Sequence, residues 1–356
     1  MNAKKWVEIW FSFLSFSLIL IGVFNYLIDP MWIFSHTHPF NKLQRAFDER
    51  KLKSMYLKNN PKKYDTLLLG SSRTTYYNQN YFNNMKVFNY SVSGAKPFEF
   101  IDFIENFKRY NKLENLIIGF DFFGCMLRYR ENIATRVNAN RSILREVNGR
   151  NQLEHLLFNY LTLDMTKHSL INAYRSITNS SSFRSYNREM ENIVQTEIVS
   201  SVHVSIKEAE RLYPKNHLYI PNFSNILLDV RNTAKDANII VFTTPISKTM
   251  LQVIYRSNGL LVNYHNWIKD LVDVYQKVYF TTYLNPLSME YERYSRDGHH
   301  YYPFATTEIA KYLSNGVLSK DRLDITKSVT VITKENIDTF LMQQKEYAKT
   351  IYSSRR

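Results

Sequence analysis

Two short stretches hold the residue types that acyl chemistry needs. Residues 66–75 read TLLLGSSRTT, an apolar run ending in a glycine, two serines and an arginine. Near the other end stands Asp297-Gly298-His299-His300. A serine hydroxyl is a poor nucleophile until an adjacent base takes its proton, and that base must be oriented by a third group. Ser72 as nucleophile, His300 as base and Asp297, folding back across Gly298 to hold the imidazole, would fill these roles. The blander reading of Ser72 is a helix N-cap, and His299 is the second imidazole on offer. Ser71 reads as a cap or turn bond. Arg73 either grips an anionic group of a substrate or forms a salt bridge at a helix start.

These residues need a scaffold that brings them together. YDTLLLG reads as a buried strand closed by glycine, MKVFNYSVSG as a second strand and its loop, and ENLIIGFDFF as a third. Phe98, Ile101, Ile104 and Phe107 show helical spacing between the last two. After residue 220 the pattern resumes: a helix over 222–236, the strand NIIVFTTP, a helix over 260–276, the strand KVYFTTY, then RDGHHYYPFATTEIAKYL as a loop entering a helix. Strands alternating with helices predict parallel βαβ units with both sheet faces covered. In such sheets ligands bind at the carboxyl ends of strands. A glycine there permits a tight turn. The serines behind it would open a helix whose N–H groups favour anions.

The expected organisation is an N-terminal anchor (1–30), a juxtamembrane segment (31–63) with a helix near Asn41–Leu57, and an α/β domain (64–315). That domain carries a mostly helical insertion at about 125–220, where strand-like runs give way to polar and charged residues, with flexible joints around Thr178–Arg184. Residues 316–356 read as a charged tail with a helix at 335–350.

The anchor rests on MNAKKWVEIWFSFLSFSLILIGVFNYLIDP. Lys4 and Lys5 precede an uncharged run from Ile9 to Ile28, about 30 Å of helix, enough to cross a hydrocarbon core. Trp6, Trp10, Tyr26 and Trp32 suit the two interfaces, and the leading lysines predict that the rest of the chain lies outside the cytoplasm. A cleaved signal peptide would have a shorter apolar region followed by small residues, and NYLIDPMWIF has none of that pattern.

Composition narrows the classes. The 356 residues carry a net charge of +14, with 26 Tyr and 23 Phe. A basic chain is attracted to polyanions. Yet the lysines and arginines are scattered and no nucleic-acid motif is present, so a basic solvated surface is favoured over nucleic-acid binding. Cys125 is the one cysteine; it permits no internal disulfide and reads as a small core residue. His36 and His38 have a spacing that a metal could use, but with no matching Cys or carboxylate cluster they read as a polar loop. No cofactor or metal is expected.

A strand ending in Gly-x-Ser early in the domain, with Asp-x-x-His near its end, resembles the SGNH (GDSL-like) esterase and acyltransferase superfamily. The resemblance covers about 64–124 and 222–315. It implies a three-layer α/β/α, flavodoxin-like parallel sheet, with Ser72 as nucleophile and Asp297 and His300 completing the triad. It also implies an oxyanion hole using the backbone N–H of Gly94. The third block departs. Where the superfamily has Gly-x-Asn-Asp, this chain has Gly119-Phe120-Asp121. An ionised Asp cannot donate to an oxyanion. Either Asp121 has another role, such as bonding the turn around Ser72, or another donor such as Asn89 completes the hole.

The anchor, Asp29-Pro30 and Gly-Ser-Ser in place of Gly-Asp-Ser are similar to membrane-anchored SGNH-like proteins of bacterial envelopes. That narrower resemblance implies acyl-ester transfer or hydrolysis, for example of an O-acetyl group, on a cell-envelope glycopolymer outside the cytoplasmic membrane, with a membrane acyltransferase as a further partner. The alternative is a catalytically degenerate SGNH-like scaffold or binding protein in a polysaccharide assembly complex.

Overall fold

The computed structural model describes residues 2–128, 130–181, 184–194, 202–214, 216–315 and 327–353. The chain forms two compact units, Met1–Asn60 with Ser142–Gln195, and Pro61–Arg141 with Thr196–Arg356.

The second unit is mixed α/β, built on a mostly parallel six-stranded sheet. Its strands are β1 (Thr66–Leu69), β2 (Val87–Asn89), β3 (Asn115–Phe120), β4 (Asn238–Thr243), β5 (Lys277–Phe280) and β6 (Thr330–Thr333). Their spatial order is β6-β5-β4-β3-β1-β2. The first five run parallel, and β6 pairs antiparallel with β5, Thr330 opposite Phe280. Thr66, Leu67, Leu68 and Leu69 are all buried. Because side chains alternate faces along a strand, unbroken burial means that both faces of the sheet are covered. The chain passes from β1 to the edge strand β2 and then back across β1 to β3. The crevice at the carboxyl ends of β1 and β3 is therefore the topological switch point.

The helix Pro97–Tyr110 links β2 to β3, with Pro97 in its first turn, where a missing N–H costs nothing. The helices Phe223–Thr233 and Asn258–Tyr275 precede β4 and β5. The tail departs from expectation. Four β-prone residues, Thr330-Val331-Ile332-Thr333, add an edge strand before the helix Ile337–Ser353. Gln344 on that helix accepts from the Tyr255 hydroxyl at 2.7 Å, so this end of the chain is part of the α/β unit.

In the other unit, the helix Ala3–Ile28 is long and apolar enough to cross a membrane. Its C-terminus is closed by Asp29 at φ +48°. The Nε2 atoms of His36 and His38 lie 3.1 and 2.6 Å from the Leu27 carbonyl, so both rings donate to a helix end. Buried Asp29 pairs with Arg188 at 2.6 Å and accepts from the N–H groups of Ile33 and Phe34. A small core of Met31, Ile33, Met55, Val147, Tyr160 and Met165 lies beside these bonds.

The helix expected at Asn41–Leu57 begins only at Glu49, because Asp48 caps it by accepting from Lys51 N at 3.1 Å. Leu43–Arg45 before it form a short strand paired antiparallel with Ser185–Asn187. Helix Leu163–Thr178 ends on left-handed Asn179, at the start of the expected joint. Residues 182 and 183 of that joint lie outside the described residues.

Candidate active site

The site begins with the turn that follows β1. Gly70 is needed here for closeness of approach. A Cβ on it would sit 2.1 Å from Thr74 Oγ1, and one on Gly119 at the end of β3 would sit 2.5 Å from the same atom. Thr74 thus fills the space that two glycines leave, and the chain beyond β1 folds back tightly over the sheet edge.

The helix expected after Gly-Ser-Ser is only one 3₁₀ turn, Thr74–Tyr76. Local bonds compete with helix continuation. Thr75 Oγ1 donates to the Ser72 carbonyl at 2.7 Å, and Asn89 Nδ2 donates to the carbonyls of Thr74 and Tyr77 at 3.0 and 2.9 Å. No helix macrodipole therefore aids Ser72, and charge stabilisation at this turn falls to individual N–H groups. Ser71 Oγ accepts from Arg73 N at 3.2 Å, which is the turn bond its position suggested.

The second stretch forms a pinned loop. Ser295 bridges to Tyr301, and Gly298 at φ +79° lets the chain reverse. Gly298 donates to Ser295 Oγ at 2.9 Å and accepts from Ser247 N at 2.7 Å. A Cβ there would meet Val204 Cγ2 at 2.5 Å. The Asp297 carboxylate folds back as the spacing implied. Its Oδ1 accepts from His300 N at 2.9 Å and its Oδ2 from His300 Nδ1 at 2.8 Å. A carboxylate can only accept, so Nδ1 carries the ring proton and Nε2 is left as an acceptor. That Nε2 lies 2.9 Å from Ser72 Oγ.

The electrostatics suit this arrangement. Burial alone would raise the Asp297 pKa, but the hydrogen bonds and positive ends of His300 and His299 hold it well below the usual carboxylate range. His299 is lowered to about 3 by burial and by the neighbouring His300 ring, 4.2 Å away centre to centre. Asp297, His299 and His300 together offer ligand atoms within 4.8 Å of one another. Both nitrogens of His300 are already engaged, so a metal here would have to break the contact to Ser72 or to Asp297.

The structure separates the other sequence candidates. Gly94, at φ +63°, lines a cavity of about 210 Å³ with Ser72 and Arg73. Asn89 takes no part in that lining. Both hydrogens of its amide nitrogen are spent on the turn carbonyls, so it fastens the turn that carries Ser72 and has no amide hydrogen left for an oxyanion. Asp121 has the turn-bonding role: it accepts from Arg73 Nη1 at 3.2 Å and from the Thr244 hydroxyl. Arg73 is buried, with Nη2 on the Tyr213 hydroxyl at 3.1 Å and its plane over the Phe123 ring. Its position after Ser72 makes it a brace between the ends of β1 and β3. Cys125 is buried and donates to the Phe122 carbonyl, as a core residue would.

Sequence reasoning missed the walls of the site. A second cavity, about 800 Å³, adjoins the loop carrying Asp297 and is lined by His203, Arg211, Arg296 and His299 among others. Arg128, Leu212 and His217 line both cavities. Of these, Arg128, His203, Arg211, Leu212 and His217 come from the stretch read as an insertion, where they follow no pattern that marks a site. No family model, curated protein or solved structure matches this chain, so its geometry stands by itself.

Proposed function

We propose that this chain is a membrane-anchored, SGNH-type serine esterase or O-acyltransferase acting on a cell-envelope glycopolymer, with its α/β unit on the extracytoplasmic side. The observation that carries the reading is the continuous hydrogen-bonded relay from Ser72 through His300 to Asp297.

In this mechanism His300 Nε2 takes the hydroxyl proton as Ser72 Oγ bonds to the acyl carbon of an ester. The tetrahedral oxyanion is met by the N–H groups of Ser72 and Gly94. Collapse breaks the bond to the leaving alkoxide, which receives the proton from His300, and an acyl-serine remains. A sugar hydroxyl or water then gives its proton to His300 and attacks the acyl carbon; collapse of this second intermediate breaks the bond to Ser72 Oγ, which takes the proton back from His300 and is restored. Asp297 holds the imidazole in the correct tautomer and offsets its transient positive charge. Arg128, Arg211 and Arg296 along the cleft suit an acceptor with negative charge. Acceptor and water compete for one acyl-serine, so transfer and hydrolysis share every step but the last.

A fluorophosphonate probe tests the reading directly. It should label the full chain in detergent, lose that label on Ser72→Ala, and be blocked by competing ester. Wild-type turnover of an acetyl ester by Ser72→Ala would refute it.

A further inference from the structure

The helix Leu163–Thr178 turns much of its polarity inward and several large apolar side chains outward. Its buried face carries Ser169, Asn172 and Ser176 besides Met165, and its outer face carries Leu163, Leu170, Tyr174 and Ile177, exposed by 80, 59, 66 and 63 %, together with the charged Asp164 and Lys167 near its start. Two of the inward polar side chains hold the neighbouring strand. Ser176 Oγ accepts from Leu43 N and Asn172 Oδ1 from Arg45 N, both at 3.0 Å, which caps the edge of the short strand Leu43–Arg45. Nothing comparable explains the outward apolar stripe. In water such a stripe exposes just the groups that folding removes from solvent.

Depth supplies the missing solvent. Asn25 donates to the Tyr160 carbonyl at 2.7 Å and to Thr166 Oγ1 at 2.9 Å. A Cβ on Gly22 would lie 3.1 Å from Leu161 Cδ2. The apolar helix Ala3–Ile28 is thus packed along its last turns against the start of helix Leu163–Thr178. Gly22 is six residues from Ile28, about 9 Å along the axis. Segments held against it sit within the depth, about 5–10 Å, to which interfacial helices bury their apolar faces. In the turn before this helix Leu157 and Phe158 are also 49 and 64 % exposed.

Charge agrees. A groove of about 530 Å³ on this helix is lined by Leu170, Ile171 and Tyr174 and by the guanidinium-bearing Arg45 and Arg175, with no acidic residue among its described lining. Arg175 donates to Ser185 Oγ at 3.2 Å. Two arginines over an apolar floor match the border between an acyl chain and an anionic headgroup.

We infer that the outer face of helix Leu163–Thr178 lies in the membrane interface, with Arg45 and Arg175 binding the phosphate of an anionic phospholipid. The inference extends the anchoring of the chain by Ala3–Ile28 and is independent of the esterase reading.

The test uses the full chain in nanodiscs, in a Cys125→Ser background, with an environment-sensitive fluorophore on Phe16→Cys, Leu170→Cys or Ile177→Cys. Doxyl-labelled lipid should quench all three, and aqueous iodide should quench none of them. With phosphatidylglycerol titrated into phosphatidylcholine, Arg45→Gln should raise the half-maximal anionic fraction about fivefold. Quenching at Phe16→Cys with iodide access at 170 and 177 would overturn this inference while leaving the anchor standing. Shielding of 170 and 177 from both quenchers would assign the face to a protein partner and overturn it equally. No lipid quenching at Phe16→Cys would remove the anchor and the inference together.

Discussion

His300 Nε2 lies 2.9 Å from Ser72 Oγ, although 228 positions of chain separate the two residues. The contact is polarised from behind by Asp297, 2.8 Å from the other ring nitrogen. Asp297→Asn should leave the fold intact and lower kcat/KM for an ester by about 10³- to 10⁴-fold, because an amide admits the wrong imidazole tautomer. Steady-state kinetics beside an unchanged circular dichroism spectrum check this. Activity within tenfold of wild type would show that Asp297 is a turn residue only.

The pH dependence of stability should carry a signature of His299. Its folded pKa, lowered to about 3, is below the ordinary 6.5. Between those values the unfolded chain binds a proton that the folded chain refuses, so stability falls as pH falls from about 6.5 to about 3, with a slope on the order of 1 kcal/mol per pH unit. Asp297 adds to this only below its unfolded value of 3.8. Denaturation midpoints across pH 4–7 should therefore flatten in His299→Gln relative to wild type, and parallel curves would contradict the assignment.

Arg73 and Asp121 form an ion pair with side chains only 3 % exposed. Removing one partner strands a buried charge, so Asp121→Ala should destabilise by about 3–5 kcal/mol. The double variant Arg73→Met/Asp121→Ala should be more stable than the single one, since no orphan charge remains. Urea midpoints decide it, and additivity of the two losses would show that the pair does not interact.

Gly70→Ala should destabilise by about 1–3 kcal/mol, because the new methyl meets Thr74 at 2.1 Å and forces the turn carrying Ser72 off the sheet. Gly259→Ala, with nothing within 4 Å of the added methyl and a helical position, is the matched control and should be neutral or mildly stabilising. Thermal midpoints of the two, with probe labelling of Ser72 for the first, test the role of close approach.

Much of the scaffold could be read in advance because it depends on local pattern. TLLLG, NLIIGF and NIIVFT are apolar runs of strand length closed by glycine or turn residues, and each is a parallel strand, the first two buried almost throughout and the third over its second half. The strand Thr330–Thr333 is not legible in the sequence, because its β-branched run is short and sits among charged neighbours. The start of helix Glu49–Asn59 differs from expectation because Asp48, a capping residue, lies inside a stretch with helical pattern throughout. The helix after Ser72 does not continue because the neighbouring Thr75 hydroxyl and the Asn89 amide take its carbonyls, and the Asn89 bonds come from the end of the next strand.

The sequence by itself determined the apolar N-terminal helix, the alternation that makes a parallel sheet, and the short-range fold of Asp297 onto His300, since each needs only neighbours within a few positions. Tertiary structure alone decided that Ser72 and His300 meet, that Asp121 braces Arg73, that Asn89 leaves the oxyanion role, and that Arg128, Arg211 and His217 wall the cleft. Contacts of that kind are set by which strand ends lie side by side. Chain spacing carries no record of strand order, and burial and charge exert their effects only once the strands are assembled.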